Sequence, residues 1–72
     1  CTSFKLSRNL LVTRVIAKVN QQVKSGDILF EGFDLDNNNF LKICTKQDGI
    51  VVTLPLRGVQ LKNFNAYRIA SR

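Results

Sequence analysis

The chain has 72 residues, 44% of them hydrophobic, and a formal net charge of +6. This length allows one domain, residues 1–72, whose core buries only about 60% of the surface that the unfolded chain exposes, so we expect a marginally stable module that docks on something larger. No apolar run approaches the roughly 18 residues that a membrane span needs, which excludes a membrane-spanning helix.

The first half of the sequence reads as β-strands separated by turns. Residues 9–19 are rich in Leu, Val, Ile and Thr and predict the first long strand. Turns are predicted at residues 20–22 and 25–27, and the next strand spans residues 28–33. Residues 34–39 are all Asp or Asn except Leu35, and such residues bond their own main chain and tolerate left-handed backbone. We therefore expect a hairpin tip or surface loop there.

The second half continues the β pattern. Residues 40–46 alternate, and Asp48-Gly49 then predicts a hairpin leading into a strand at residues 50–54. Pro55 ends that strand or places it at a sheet edge, and residues 66–70 form the last strand. No segment keeps a 3.6-residue period, so we expect little or no helix. The alternation of residues 40–46 places Leu41, Ile43 and Thr45 on one face and Lys42, Cys44 and Lys46 on the other.

Two segments share the same sequence pattern and form an internal repeat. Residues 15–29 and 51–67 each contain a β-rich run, a short break, Gln-(Val/Leu)-Lys, a turn and a second apolar run. This match predicts two similar β-units related by a pseudo-twofold axis, each hiding its apolar face against the other. The predicted fold class is all-β, a flattened barrel of two small antiparallel sheets. Its predicted core consists of Val15, Ala17, Val19, Val23, Ile28, Leu41, Ile43, Ile50, Val52, Leu54 and Ile69.

The charges are segregated along the sequence. Every acid lies within residues 27–48, and all charged residues of the two flanking segments are basic. Clustered Lys and Arg attract polyanions such as nucleic acid, with an affinity that falls as salt rises. The alternative is a solvated surface, or one that meets acidic parts of a parent protein, because there is no Arg-rich run or interleaved aromatic platform. The candidate contacts, which we expect to converge around the pseudo-twofold, are Arg14, Lys18, Lys24, Arg57 and Lys62.

The cysteines do not indicate a metal site or a catalytic nucleophile. The chain has no His, and Cys1 and Cys44 lie far apart, so we expect no metal site. Cys44 is interpreted as a small packing residue rather than a nucleophile. Cys1 also resembles the lipid-modified cysteine of mature bacterial lipoproteins, but apolar alternation begins by Phe4, where a flexible tether would be expected. The absence of Met and the start at Cys1 favour a piece of a larger polypeptide.

The acidic tip has some features of a calcium or catalytic site. Asp34, Asp36 and Asn38 fall at the first three ligand positions of an EF-hand loop, but Asn39 replaces the required Gly and Thr45 the bidentate Glu. Asp34 and Asp36 could share a proton, yet we expect water to screen them, and no nucleophile or phosphate cradle is nearby. We therefore predict no enzyme activity, no metal, no cofactor and no small-molecule ligand.

The order of the motifs resembles the biotinyl/lipoyl-type barrel-sandwich hybrid over about residues 14–69. In carrier members of that family, a lysine at the tip of the central hairpin takes biotin or lipoate. The family's spacing, counted back from Asp48, lands on Asn38, and Lys42 lies on the following strand. The resemblance therefore implies the fold but not the carrier role. The segments that carry it are residues 23–30, 48–51, 58–61 and 67–69.

The chain is also similar, over about residues 4–61, to barrel-sandwich hybrid modules of the β′-type largest subunit of multisubunit RNA polymerases. The likeness rests on Phe-Lys-Leu at residues 4–6, Gly-Asp-Ile-Leu at residues 26–29, and the later Asp-Gly and Gly motifs. It departs at Gly32, which looks inserted, and at Leu35, which replaces a usual proline. This resemblance implies a non-catalytic structural or docking module.

Two hypotheses follow from these resemblances. The first is an accessory docking module of a polymerase largest subunit. The alternative is a degenerate carrier-like domain that binds partner proteins in a carboxylase, acyltransferase or membrane-fusion complex. The expected partners are protein subunits of the parent complex, with weak non-specific nucleic-acid binding as a further expectation, and the expected location is the cytoplasm or an organellar stroma or matrix.

Overall fold

The computed structural model describes residues 1–71 and contains eight strands in that range, with no helix. The strands are β1 (Thr2–Lys5), β2 (Leu10–Val15), β3 (Gln22–Val23), β4 (Ile28–Asp34), β5 (Asn39–Cys44), β6 (Gly49–Thr53), β7 (Gly58–Gln60) and β8 (Asn65–Ala70). They form two open antiparallel sheets, a first sheet of order β1-β8-β6-β3 and a second of order β5-β4-β2-β7. The predictions of an all-β fold and of two small antiparallel sheets are confirmed. The residues described include no helix long and apolar enough to cross a membrane.

The two sheets have corresponding strand orders. Gln22 and Gln60 occupy equivalent positions in the internal repeat and are 38 residues apart. When the bounds of β1–β4 are shifted by 38 residues, they agree with the bounds of β5–β8 to within two residues. Exchanging each strand for its counterpart converts the order of one sheet into that of the other. Because β3 pairs with β6 and β7 pairs with β2, each half of the chain supplies strands to both sheets.

The hydrophobic core lies between the sheets. The Phe4 ring stacks on Tyr67 with centroids 4.6 Å apart, and Phe30 meets Tyr67 edge-on at 6.4 Å. Aromatic pairs of this kind add to the stabilisation that burial provides. Core side chains come from strands of both sheets and from the loops beside them, and the buried hydrophobic residues are Leu6, Leu10, Val12, Ala17, Val23, Leu29, Phe30, Val51, Ala66, Tyr67 and Ile69.

The predicted core is partly right. Ala17, Val23 and Ile69 are buried. Four others are partly buried and pack against the core, and these are Val15, Leu41, Ile43 and Leu54. In β6 the buried residues are Gly49 and Val51, and Ile50 and Val52 are only half-buried, so the predicted inward face of that strand is shifted by one residue.

Two core predictions are wrong, each for a local reason. Val19 is 52% exposed because β2 ends at Val15 and the chain turns at Asn20, which has φ 73°. The predicted strand over residues 9–19 is therefore too long. Ile28 is 37% exposed because the β4–β5 register shifts between Ile28 and Phe30. Such a bulge lets two consecutive residues, here Leu29 and Phe30, both face the core.

The hairpin predicted at Asp48-Gly49 is also wrong, because β5 and β6 belong to different sheets. This turn carries the chain from one sheet to the other. The Asp48 carboxylate accepts a hydrogen bond from the Ser25 amide at 2.7 Å, which ties the crossing to the β3–β4 turn. A Cβ at position 49 would overlap the carbonyl of Ala70, so glycine is required by the close approach of β8.

Candidate docking surface

Two of the predicted basic contacts come together. Arg14, on β2, and Arg57, in the β6–β7 connection, line one groove of about 570 Å³. Val19 and Leu56 also line it, and both are exposed, at 52% and 80%. The groove thus offers two guanidinium groups beside apolar surface.

The three predicted lysine contacts are exposed and lie in loops outside that groove. The backbone amide of Lys18 donates to Gln21 Oε1 at 2.9 Å, and that of Lys24 donates to Asp27 Oδ2 at 2.9 Å. The amide of Lys62 donates to Asn9 Oδ1 at 2.8 Å. Lys24 and Lys62 follow the corresponding edge strands β3 and β7, as the repeat places them. Convergence of all five basic side chains stays a prediction.

A line of hydrophobic side chains crosses the outer face of the second sheet. Leu11 pairs with Val59 on one side and with Phe33 on the other, and Phe33 pairs with Phe40. We call these four residues the apolar row. Val59, Phe33 and Phe40 are 59%, 43% and 47% exposed, and the two Phe rings meet edge-on at 5.4 Å. Since adjacent strands are about 4.8 Å apart, the row spans about 14 Å of uncovered sheet.

A second row of cross-strand partners lies on the same face. Arg14 pairs with Glu31, and Glu31 pairs with Lys42. These three residues form the charged row. Opposite charges on neighbouring strands favour that register. The outer face of the second sheet therefore combines an apolar row with a row of two cations and one anion.

Asp34 holds the β4–β5 hairpin tip together. Its side chain is fully buried, and its oxygens accept hydrogen bonds from Arg8 Nη1 at 2.8 Å, the Asp36 amide at 2.9 Å, and the Asn37 side chain and amide at 3.0 and 3.2 Å. The bond from the Asn37 side chain contributes most to holding the pKa of Asp34 below its ordinary value, and burial opposes it. The expectation that water screens Asp34 is wrong, because this carboxylate is an internal acceptor.

The cysteines stand apart from any chemical cluster. Both are free and exposed, and the Cys1 thiol accepts a hydrogen bond from Arg68 Nη2 at 2.9 Å. Cys44 is therefore not the packing residue that we expected. It ends β5 on the outer side, where the alternation of that strand places it. Among residues 1–71, no three His, Cys, Asp or Glu side chains gather as metal ligands would.

The apolar row was not identified from the sequence. Its members come from positions 11, 33, 40 and 59, and only the pairing register of four strands aligns them. The alternation of residues 40–46 did contain a signal, since placing Leu41 and Ile43 inward turns Phe40 outward.

Comparisons of the chain with protein-family models, curated protein sequences and solved structures find no match. The outer face of the second sheet is thus interpreted from its own geometry.

Proposed function

We propose that this chain is a non-catalytic docking module of a larger protein assembly. The observation that carries this proposal is the apolar row, in which large hydrophobic side chains stand in register across all four strands of a sheet face. Contiguous exposed apolar surface on a small domain is typical of an interaction site, whereas single exposed hydrophobic residues are not informative. The expected partner is a protein surface that is apolar opposite the row and bears charges opposite the charged row.

The proposed fold is a barrel-sandwich hybrid whose halves are related by a pseudo-twofold axis. The corresponding strand orders of the two sheets support it, as does the exchange of β3 and β7 between them. The proposed parent is the largest subunit of a multisubunit RNA polymerase. The motifs at residues 4–6 and 26–29, which fall on β1 and at the start of β4, support that assignment.

The alternative proposal is a degenerate biotin- or lipoate-carrier-like domain with a protein-binding role. The position of the tip favours it: residues 35–38 join β4 to β5, and this is the hairpin to which the family's spacing assigns the attachment site. By that spacing, the lysine of a carrier corresponds to Asn38, whose φ is 60°. The coding sequence on both sides of residues 1–72 discriminates the two parents. Polymerase motifs there support the first, and carboxylase, acyltransferase or membrane-fusion neighbours support the second.

Binding in trans tests the docking function. The isolated chain is titrated against a purified multisubunit RNA polymerase from which the corresponding module has been deleted. We expect the double substitution Phe33→Thr and Phe40→Thr to weaken binding by at least about tenfold, because each removes buried aromatic contact area. Threonine retains the strand preference of the positions, and circular dichroism verifies the fold.

The matched control is Leu61→Thr with Phe64→Thr. Both residues are exposed, at 65% and 46%, and lie in the β7–β8 loop outside the apolar row. We expect this control to bind as the unsubstituted chain does. Equal binding by the Phe33/Phe40 variant would reject the apolar row as the docking surface. Failure of the unsubstituted chain to bind would reject the polymerase as its parent.

A further inference from the structure

The two sheets leave two strand edges facing one cleft. β1 is one of the two outer strands of the first sheet and β5 one of the two outer strands of the second, and each is paired on one side only. Residues of both strands line a cleft of about 380 Å³, which we call the edge cleft. Unpaired backbone N–H and C=O groups at such edges are able to pair with another strand.

The floor of the edge cleft is fixed by the core. Leu6, Ala66 and Tyr67 line it and are buried, at 6%, 2% and 3% exposure. Phe4 lies over Tyr67 in a stacked arrangement. The Tyr67 hydroxyl donates to the Cys44 carbonyl at 3.4 Å and so connects β8 of the first sheet to the end of β5. The cleft is therefore a preformed feature, which reduces the entropy lost when a ligand binds.

The residues lining the edge cleft include three lysines and no acid. Lys5 comes from β1, Lys42 from β5, and Lys46 from the turn that follows β5. All three are exposed. Lysines at strand edges oppose pairing between copies of the same chain, because like charges would meet. The same charges attract an acidic segment.

We propose that the edge cleft binds an extended acidic segment of a partner protein by strand addition. The segment pairs with the free edge of β5, the longer of the two edge strands, and its main chain supplies hydrogen bonds. The alternate carboxylates lie on the face of the segment that carries Lys42 and Lys46, and Lys5 borders the cleft from β1. The intervening apolar side chains pack on Phe4 and Ile43, which also line the cleft. Lys42 belongs to both the charged row and the edge cleft, but the apolar row shares no residue with the cleft. The Phe33→Thr and Phe40→Thr variant therefore tests the apolar row separately.

The probe is a capped eight-residue peptide of alternating glutamate and valine, titrated into the isotope-labelled chain and followed by NMR. We expect amide shifts concentrated in β5 and β1. The triple substitution Lys5→Gln, Lys42→Gln and Lys46→Gln should weaken binding by about tenfold, since each exposed ion pair contributes a few-fold. The matched control, Lys18→Gln with Lys24→Gln and Lys62→Gln, changes the net charge equally and should stay within about twofold of the unsubstituted chain.

A second peptide, N-methylated at alternate residues on the pairing edge, retains the charges but lacks the backbone donors. We expect its binding to be lost. Equal binding of the methylated peptide would overturn strand addition. Binding of a single-stranded RNA through Lys5, Lys42 and Lys46, with no binding of the peptide, would make the cleft a nucleic-acid site instead. Self-association of the triple variant, without peptide binding by the unsubstituted chain, would mean that the lysines only protect the edges.

Discussion

Asp34 shows how a single carboxylate organises a loop. Within residues 1–71 it is the only charged side chain that is fully buried, and its ion pair with Arg8 joins the β1–β2 connection to the β4–β5 hairpin. The Asp34 side chain accepts all four of its hydrogen bonds. An ionised carboxylate accepts at both oxygens, whereas a neutral amide has only one accepting oxygen. Ionised Asp34 therefore stabilises the hairpin tip.

Stability should fall in acid because of this residue. The folded-state pKa of Asp34 lies below the ordinary value of 3.8, so its contribution is present above that value and is lost as pH falls through the folded-state pKa. We expect Asp34→Asn to lower the thermal midpoint at pH 7, and the difference from the unsubstituted chain to shrink as the pH falls through the folded-state pKa of Asp34. Thermal unfolding followed by circular dichroism at several pH values measures both.

The control for that experiment is Asp36→Asn, because Asp36 is exposed. It should leave the midpoint nearly unchanged throughout. An Asp34→Asn variant with the same thermal midpoint at pH 7 as the unsubstituted chain would contradict the assigned role.

The β4–β5 hairpin should not accept a carrier cofactor. Its tip, residues 35–38, contains no lysine, and lysine is the group that biotin or lipoate modifies in the family that the chain resembles. Intact-mass analysis after incubation with a biotin or a lipoate ligase should show no mass gain. A gain of either cofactor mass, mapped to Lys42 or Lys46, would contradict this expectation.

β5 was predictable because its polar and apolar residues alternate without ambiguity. Leu41 and Ile43 are half-buried, Thr45 is buried, and Lys42 and Cys44 are exposed, as the period of two requires. The inward residues at the start of β4 were not predictable, because Ile28, Leu29 and Phe30 are all apolar. The sequence pattern alone does not show the bulge that turns Leu29 and Phe30 inward.

Connectivity was harder to predict than strand position. An Asp-Gly pair serves a hairpin and a crossing between sheets equally well, since both need a turn residue that tolerates positive φ. What decided between them was the close approach of β8 at Gly49, a contact between segments that are distant in sequence.

The candidate surface depended even more on contacts between segments that are distant in sequence. Basic and acidic regions are visible in the sequence, but the groove that Arg14 and Arg57 both line and the apolar row depend on tertiary pairing.

The whole molecule is a small, elongated body of 35 × 19 × 18 Å. Its radius of gyration of 11.4 Å matches the value of about 11 Å for a compact domain of this length. On so small a body, the excess of basic residues places positive charge within a Debye length, about 8–10 Å, of much of the surface. The net positive charge of the chain therefore attracts a polyanion.

We expect weak, sequence-independent binding to duplex DNA or RNA, with a Kd in the micromolar range or poorer. Affinity should fall on the order of 100-fold between about 50 and 200 mM salt if three to five cations contact phosphates. Replacing Arg14, Lys18 and Lys62 together by Gln should abolish binding without unfolding the domain, since exposed charges carry little stability. Fluorescence anisotropy of a labelled duplex measures both effects.

The lysines of the edge cleft provide the charge-matched control for that titration. Lys5→Gln with Lys42→Gln and Lys46→Gln removes the same number of charges and should retain binding at low salt. Absence of any binding by the unsubstituted chain at low salt would mean that the basic side chains belong to a protein interface or only to solubility.

The antiparallel pairing of β1 with β8 brings the two ends of the fold together. Thr2 lies opposite Ile69, and Cα atoms of such partners are about 4.5–5.5 Å apart. A host polypeptide passing through this domain would enter and leave at nearly one point, so an existing surface loop of the host could receive the domain without its own two ends being moved apart. Deleting the domain and rejoining the host there would require a linker of only one or two residues.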